Sequence, residues 1–378
     1  MRIAVPAETA ANEERVAATP ETVKKLVALG AEIVVQAGAG LGSGLLDADY
    51  EKAGAQIAAD AAATVKGADA VLAVRRPQAS SLAGVNANAA VLAIMDPYGQ
   101  KAALQGLAEA NVQAFAMELM PRITRAQVMD VLSSQANLAG YRAVLEAAAE
   151  YGRAIPMMMT AAGTVPAAKI FIMGVGVAGL QAIATARRLG GVVTATDVRP
   201  ATKEQVESLG AKFLAVEDEE FKQAQTAGGY AKEMSKDYQA KQAALTASHI
   251  AKQDIVITTA LIPGRPAPVL ITADMVASMR AGSVIVDLAV ERGGNCALSK
   301  PGEVVTTDNH VTIIGHLNMA GRLAATASQL YAKNLFAFLE TMIDKESKTL
   351  KIDPEDDLVK ATLLTRDGAI VNPAFAAD

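Results

Sequence analysis

Lys169-Ile-Phe-Ile-Met-Gly174-Val175-Gly176-Val177-Ala-Gly179-Leu-Gln-Ala, followed by a helical run and Gly191-Val-Val-Thr-Ala-Thr-Asp197, is the stretch that decides the fold. It reads as strand, glycine turn, helix, strand, acid. An apolar run enters a GxGxxG turn, an alanine-rich helix with apolar positions at Leu180, Ile183, Ala184 and Leu189 leaves it, and the second strand ends on a carboxylate. In a βαβ unit each part has a physical task. Gly174 makes the tight turn, Gly176 lets the backbone approach a pyrophosphate, Gly179 lets helix and strand pack closely, and the helix N-terminus presents free N–H groups to the anion. Asp197 lies about 20 residues past the turn, where an acid accepts from the adenosine ribose 2′-hydroxyl and repels a 2′-phosphate. NAD(H) is therefore expected over NADP(H). Arg199 is the discordant residue, since an Arg at that place can serve a 2′-phosphate. A GxGxxG alone also occurs as a plain turn against a closely packed helix; here the ordered context points to a dinucleotide.

The composition bounds what surrounds this unit. At 378 residues the chain exceeds one ordinary core, which predicts two domains. Hydrophobic residues make up 51% and charged residues 20%, as in a globular chain, and a net charge of −5 without a basic cluster argues against nucleic acid. The single Cys296 excludes a disulfide framework and a cysteine zinc site, and suggests a reducing compartment; no metal site is expected. The opening Met1-Arg-Ile-Ala-Val-Pro6 reads as a strand and not a signal peptide. No uninterrupted apolar run reaches the ~18 residues needed to span a bilayer. Only His249, His310 and His316 are histidines, so the usual proton-transfer residue is scarce.

Along residues 1–120 short apolar runs alternate with helical segments, which implies a parallel α/β sheet. Gly38-Ala-Gly40-Leu-Gly42-Ser-Gly44 imitates a phosphate loop, but its spacing is GxGxGxG and no clean helix start follows it at once; it is expected to be a crossing loop. Residues 124–151 read as one long helix on which Gln127, Asp130, Ser134, Asn137 and Tyr141 form a polar stripe, rich in amides and without Lys or Glu until Glu146. Such a stripe suits the wall of a cleft. Residues 217–242 are polar with a Gly228-Gly229 hinge before Tyr230 and are expected to form a lid. Strands resume at residues 254–259, 283–287 and 311–315, and the loops at their carboxyl ends are where ligands bind in this architecture. A second long helix over 322–343 leads the chain back, and Asp367-Gly368 signals a hairpin.

Five blocks carry a resemblance: the PRITRAQ run from Pro121 through Asp130 and Ser133 to Arg142, Gly174 to Leu180, Gly228-Gly-Tyr230-Ala-Lys-Glu-Met, Thr259-Ala-Leu-Ile-Pro263-Gly, and Gly293-Gly-Asn-Cys296. Together they resemble the NAD(H)-binding component of proton-translocating NAD(P) transhydrogenase, in its split-subunit alpha form, over essentially the whole chain. The resemblance implies two Rossmann-like doubly wound parallel-sheet domains separated by a cleft and linked by two long helices, with residues 1–135 plus 323–378 in the first and 136–322 in the NAD(H)-binding second. It implies Arg122, Gln127, Asp130 and Ser133 around the nicotinamide end, and Gly174, Val175, Gly176, Val177 and Gly179 at the pyrophosphate. It places Asp197, Val198 and Arg199 at the adenosine ribose, Gly229 and Tyr230 in a loop that closes on nucleotide, and Gln242 and Leu261 near the adenosine end. Arg122, Gln127 and Asp130 would position the nicotinamide without acid–base chemistry. The implied partners are an NADP(H)-binding component and a membrane-spanning proton channel, and a second copy in a homodimer. The expected location is cytoplasmic, at the inner membrane through those partners.

Alanine dehydrogenase shares the fold and the fingerprint and is the competing resemblance. That family needs a Lys and, some way on, a His for its amino-acid substrate. The corresponding positions here read as Ala73 and Met95, so that pocket is expected to be absent. A catalytically idle NAD-sensing module is the third reading, because it would share every binding feature. Direct hydride transfer between two nicotinamides moves no proton to or from a substrate, which agrees with a chain poor in histidine.

Overall fold

A computed structural model describes residues 1–224 and 234–376 of the chain. The chain divides into two compact units, Met1–Gln135 with Ala320–Asp378, and Ala136–Met319.

The first unit is built on a six-stranded sheet in the order β3-β2-β1-β4-β5-β6. Its strands are β1 (Arg2–Val5), β2 (Glu32–Gln36), β3 (Gln56–Ala58), β4 (Ala70–Arg75), β5 (Ala90–Ile94) and β6 (Gln113–Ala116), all paired in parallel. Alternation along each strand sorts side chains onto two faces. Ile3, Val5, Ile33, Val35, Leu72, Val74, Leu92 and Phe115 meet the long helix Ala324–Thr341 on one. The other is smaller, with Ala4, Val71, Ala73, Val91, Ala93 and Ala114 against Leu104 and Leu107 of the helix Lys101–Glu109. Both faces are apolar because helices cover both, as a parallel sheet requires.

The second unit opens with an antiparallel hairpin, β7 (Met158–Thr160) and β8 (Gly163–Val165). Its main sheet runs β11-β10-β9-β12-β13-β15-β14. Here β9 is Lys169–Met173, β10 Val192–Thr196, β11 Lys212–Phe213, β12 Ile255–Thr258, β13 Val284–Asp287, β14 Val304–Thr306 and β15 Thr312–Ile314. All pairs are parallel except the edge pair β14 and β15. The strand order reverses between β9 and β12, which makes the carboxyl end of β9 a topological switch point. Ile170, Ile172, Ile255, Ile257 and Val286 pack under the helix Val177–Arg188 and under Ala143, Val144 and Ala147 of Val131–Glu150, while Phe171, Val256, Ile285 and Ile313 fill the opposite face.

Two expectations need correction. Residues 124–151 are not one helix: Thr124–Met129 is a 3-10 turn, Asp130 is extended at φ −74 and ψ 92, and the α-helix proper is Val131–Glu150. The cause is Asp130, whose carboxylate accepts from Ser133 N at 2.8 Å and Ser133 Oγ at 2.6 Å, a capping arrangement that a short acid prefers to continuing a helix. The polar stripe therefore breaks at its second member. A helix does start close behind the glycine run after β2, at Asp47–Lys52. That run is still a loop and no phosphate cradle, because its Gly38 amide is already taken by Asp47 Oδ1 at 2.9 Å.

Candidate nucleotide site

The glycine turn sits at the carboxyl end of β9. Gly174 has φ +102, a left-handed conformation that strains any side chain, and a Cβ there would stand 2.6 Å from Thr259 Oγ1. Thr259 Oγ1 donates to Gly174 O at 3.0 Å, tying the turn to the end of β12. At Gly179 a Cβ would lie 1.9 Å from Gly174 O, so only glycine lets the helix come this close to the turn. Gly176 differs from both. It is exposed, it caps the N-terminus of Val177–Arg188, and nothing lies within 4 Å of where its Cβ would be. A backbone free of crowding at the positive end of a 12-residue helix fits a pyrophosphate. Val175 is buried and Val177 is 39% exposed at the rim.

Asp197 follows β10, and both its carboxylate oxygens accept from protein donors. Oδ2 accepts from Val175 N at 2.8 Å, which fastens the acid to the glycine turn. Arg199 donates its backbone N and Nε to Oδ1, at 2.9 and 2.8 Å, and one terminal nitrogen to Oδ2 at 2.9 Å and to Val175 O at 3.1 Å. Arg199, discordant by sequence, is thus the partner of the acid. The hydrogen bonds that the guanidinium donates to Asp197 push its pKa up and hold it charged. Val198 between them is exposed. Gln242, on the helix Lys236–Ile250, accepts from Val216 N at 2.9 Å and donates to Thr196 Oγ1 at 3.3 Å, one residue before the acid. Leu261, beyond β12, is 54% exposed.

In the first unit Gln127 is exposed on the 3-10 turn, Arg122 is exposed just before it, and Asp130 with Ser133 forms the helix cap described above. Two flanking contacts hold the turn. Asn334 Nδ2 donates to Val128 O at 2.8 Å, and Arg125 grips Asp356 with both terminal nitrogens, at 2.9 and 2.6 Å. Gly229 and Tyr230, with the lid expected around them, lie outside the described residues.

Sequence reasoning missed a charged cluster at the carboxyl end of β4. Glu13 pairs with Arg15 through Nε and a terminal nitrogen at 2.7 Å each, and with Arg75 Nε at 2.8 Å, while Arg15 also donates to Gln135 Oε1 at 2.7 Å. Burial raises the Glu13 pKa, but the hydrogen bonds and charges of Arg15 and Arg75 outweigh it and leave the carboxyl below its usual value. Glu8 accepts from the Val74 and Arg75 amides at 2.5 and 3.2 Å; burial pushes it up to about 7. Ala73 and Met95 are buried in the apolar cluster on the other face of the sheet. The signal available in sequence was Glu8, Glu13 and Arg15 close together before the first helix, which no local pattern ties to Arg75. Among the described residues no group of His, Cys, Asp and Glu is arranged to hold a metal ion, and burial pushes the Cys296 thiol up, toward its neutral form.

Two α/β units, one with a fingerprint turn at its switch point and an acid on the next strand, define the class of nicotinamide-nucleotide dehydrogenases. Residues 4–139 match the family model described as alanine dehydrogenase/PNT, N-terminal domain, and residues 143–373 match its C-terminal counterpart. A crystal structure of transhydrogenase from Sinorhizobium meliloti superposes with a TM-score of 0.89 at 62% identity, covering 98% of this chain and 100% of that one. A Rhodospirillum rubrum protein, named as the first piece of a divided NAD(P) transhydrogenase subunit alpha, is 55% identical over 380 residues, 99% of each chain. An alanine dehydrogenase from Halomonas elongata is 30% identical, over 100% of this chain and 96% of its own. The chain belongs to the alanine dehydrogenase/PNT family of oxidoreductases and, within it, to the NAD(P) transhydrogenase alpha subunits.

Proposed function

We propose that this chain is the NAD(H)-binding component of a proton-translocating transhydrogenase, working with an NADP(H)-binding component and a membrane-spanning subunit. The observation that carries the reading is Gly176: an exposed glycine at a helix N-terminus, with open space at its missing side chain and a carboxylate fastened beside it. Gly176 and the first amides of the helix would hold the pyrophosphate. Asp197, Val198 and Arg199 would meet the adenosine ribose, and Gln242 and Leu261 would lie toward the adenosine. Arg122, Gln127, Asp130 and Ser133 would hold the nicotinamide end, and Gly229 and Tyr230 would belong to a closing loop. Bound NADH supplies a hydride at its nicotinamide C4, which NADP⁺ on the partner component accepts directly.

The residues of this chain orient and exclude water; none has to move a proton. Asp130 suits that role, because both its oxygens are committed to a helix cap. Ala73 and Met95 are apolar and buried, so neither supplies the Lys or His that an alanine dehydrogenase pocket is expected to have there, which favours transfer over alanine dehydrogenase chemistry. No helix among the described residues is long and apolar enough to cross a membrane, so attachment to the inner membrane on the cytoplasmic side would come through the partners. A homodimer is part of the proposal; the hairpin of β7 and β8, with Met157, Met158 and Met159 at 59, 43 and 80% exposure, supports it.

The test is hydride exchange between NADH and an NADP analogue, with and without the partner component, and alanine formation from pyruvate, ammonia and NADH. Exchange that requires the partner, with no alanine formed, is the expected result. Alanine formation by the chain alone would move the assignment to alanine dehydrogenase, and binding without any exchange would leave a sensing module.

A further inference from the structure

The motif Gly293-Gly-Asn-Cys296 has no part in the site so far, yet it builds a buried polar network in the second unit. Asp287, the last residue of β13, is fully buried. Its Oδ1 accepts from Thr258 Oγ1 at 3.1 Å and Ala289 N at 2.9 Å, and its Oδ2 from Asn295 N at 2.8 Å, Cys296 N at 3.0 Å and Ser299 Oγ at 2.5 Å. The loop after β13 is thereby wrapped around one carboxylate.

What it holds out is Asn295, also fully buried. Its side-chain amide pairs with both edges of one residue in the loop after β12: Oδ1 accepts from Ala260 N at 2.9 Å and Nδ2 donates to Ala260 O at 2.9 Å. Nδ2 also donates to Pro268 O at 2.7 Å, and Asn295 O accepts from Leu270 N and Ile271 N at 2.8 and 2.9 Å. Ala260 and Pro268 are the two ends of a loop whose tip carries Leu261 and Ile262, apolar yet 54 and 46% exposed. Ala260 also follows Thr259, the residue that ties the glycine turn.

We propose that Asn295 is a positioning residue for the nucleotide site: by pinning both ends of the loop after β12 it holds Leu261 and Ile262 ready as an apolar platform for the adenosine half of the dinucleotide. Preorganisation is the physical gain, because exposed apolar side chains on a slack loop would have to be ordered at each binding event. Aspartate at this position keeps the shape but exchanges the Nδ2 donor for an acceptor facing two carbonyls. The inference rests on the nucleotide reading above.

The test uses the full chain and titrates NADH, ADP-ribose and reduced nicotinamide mononucleotide against wild type, Asn295→Asp, Leu261→Ala and the double variant. Asn295→Asp should weaken NADH and ADP-ribose by about tenfold, the scale of one buried hydrogen-bonding fault, and leave the mononucleotide nearly unchanged. In the double variant the two losses should fall short of adding, because both act through the same platform. Equal weakening of all three ligands, or full additivity, would overturn the proposal. A wild type that binds neither NADH nor ADP-ribose would overturn the nucleotide reading itself, and the proposal with it. Should Asn295→Asp fail to fold, hydrogen exchange of the wild type decides. An Ala260 amide protected before nucleotide is added supports the anchor, and one protected only after NADH is added refutes it.

Discussion

At Asp197 a carboxylate and its Arg199 partner stand where the proposed adenosine ribose would bind. The carboxylate is held by the Val175 amide and by Arg199, so it is aimed before any ribose arrives. Asp197→Ala should weaken NADH by on the order of 1.5 to 3 kcal/mol, as for a lost charged hydrogen bond, and should narrow its advantage over NADPH because Arg199 is released. Calorimetric titration with both nucleotides checks this; equal wild-type affinity for NADH and NADPH would remove the acid from its assigned role. Gln127 is the other residue on which the proposed site depends. It is exposed on a turn that Asn334 and the Arg125–Asp356 pair hold in place. If it orients the nicotinamide, Gln127→Asn should slow transfer far more than it weakens NADH binding, since a displacement of about 1 Å can cost on the order of 100-fold in rate. Single-turnover kinetics with the partner component, set beside a binding isotherm, separate the two effects.

Among the elements, the helix Val131–Glu150 shows how a small residue decides packing. A Cβ at Gly140 would stand 2.0 Å from Ala178 O, in the first turn of Val177–Arg188, so the two helices touch through backbone. Gly140→Ala should raise intrinsic helix propensity yet destabilise the chain by about 1 to 3 kcal/mol, because the carbonyl it meets is not a flexible side chain. Thermal unfolding measures the net sign, and a raised melting temperature would show that the helices can part at no cost. Most of the elements around it are legible locally. The Asp367-Gly368 hairpin forms as its turn residues require, with both at positive φ. The break at Asp130 is a conflict between two local preferences, an amphipathic repeat that favours helix and an acid that favours capping. Here the cap prevails.

For the molecule as a whole, the buried Glu8 beside the charged cluster at β4 predicts a pH-dependent stability. The folded-state pKa of Glu8 is raised from the ordinary 4.5 to about 7, so the folded chain binds that proton more tightly than the unfolded one. The stability this group contributes is complete below 4.5 and is lost as pH rises through about 7. Glu8→Gln should remove this decline, leaving a flatter stability curve over the same window in denaturant unfolding at a series of pH values. An unchanged curve would show that Glu8 titrates as an ordinary surface acid.

The parallel sheets, the glycine turn and the acid that ends the next strand were legible in the sequence. These depend on periodicity and on spacing along a short stretch, where neighbours in the chain are neighbours in space. Only the tertiary structure decided that Arg199 is bound to Asp197 instead of awaiting a phosphate. It also decided that Glu13 joins Arg15 to Arg75 and that Asn295 pins Ala260 and Pro268. The Glu13–Arg75 and Asn295–Ala260 contacts join residues 62 and 35 positions apart. A buried polar group takes whichever partner the folded sheet brings within hydrogen-bond reach, and that choice is made by chain topology, which no local pattern encodes.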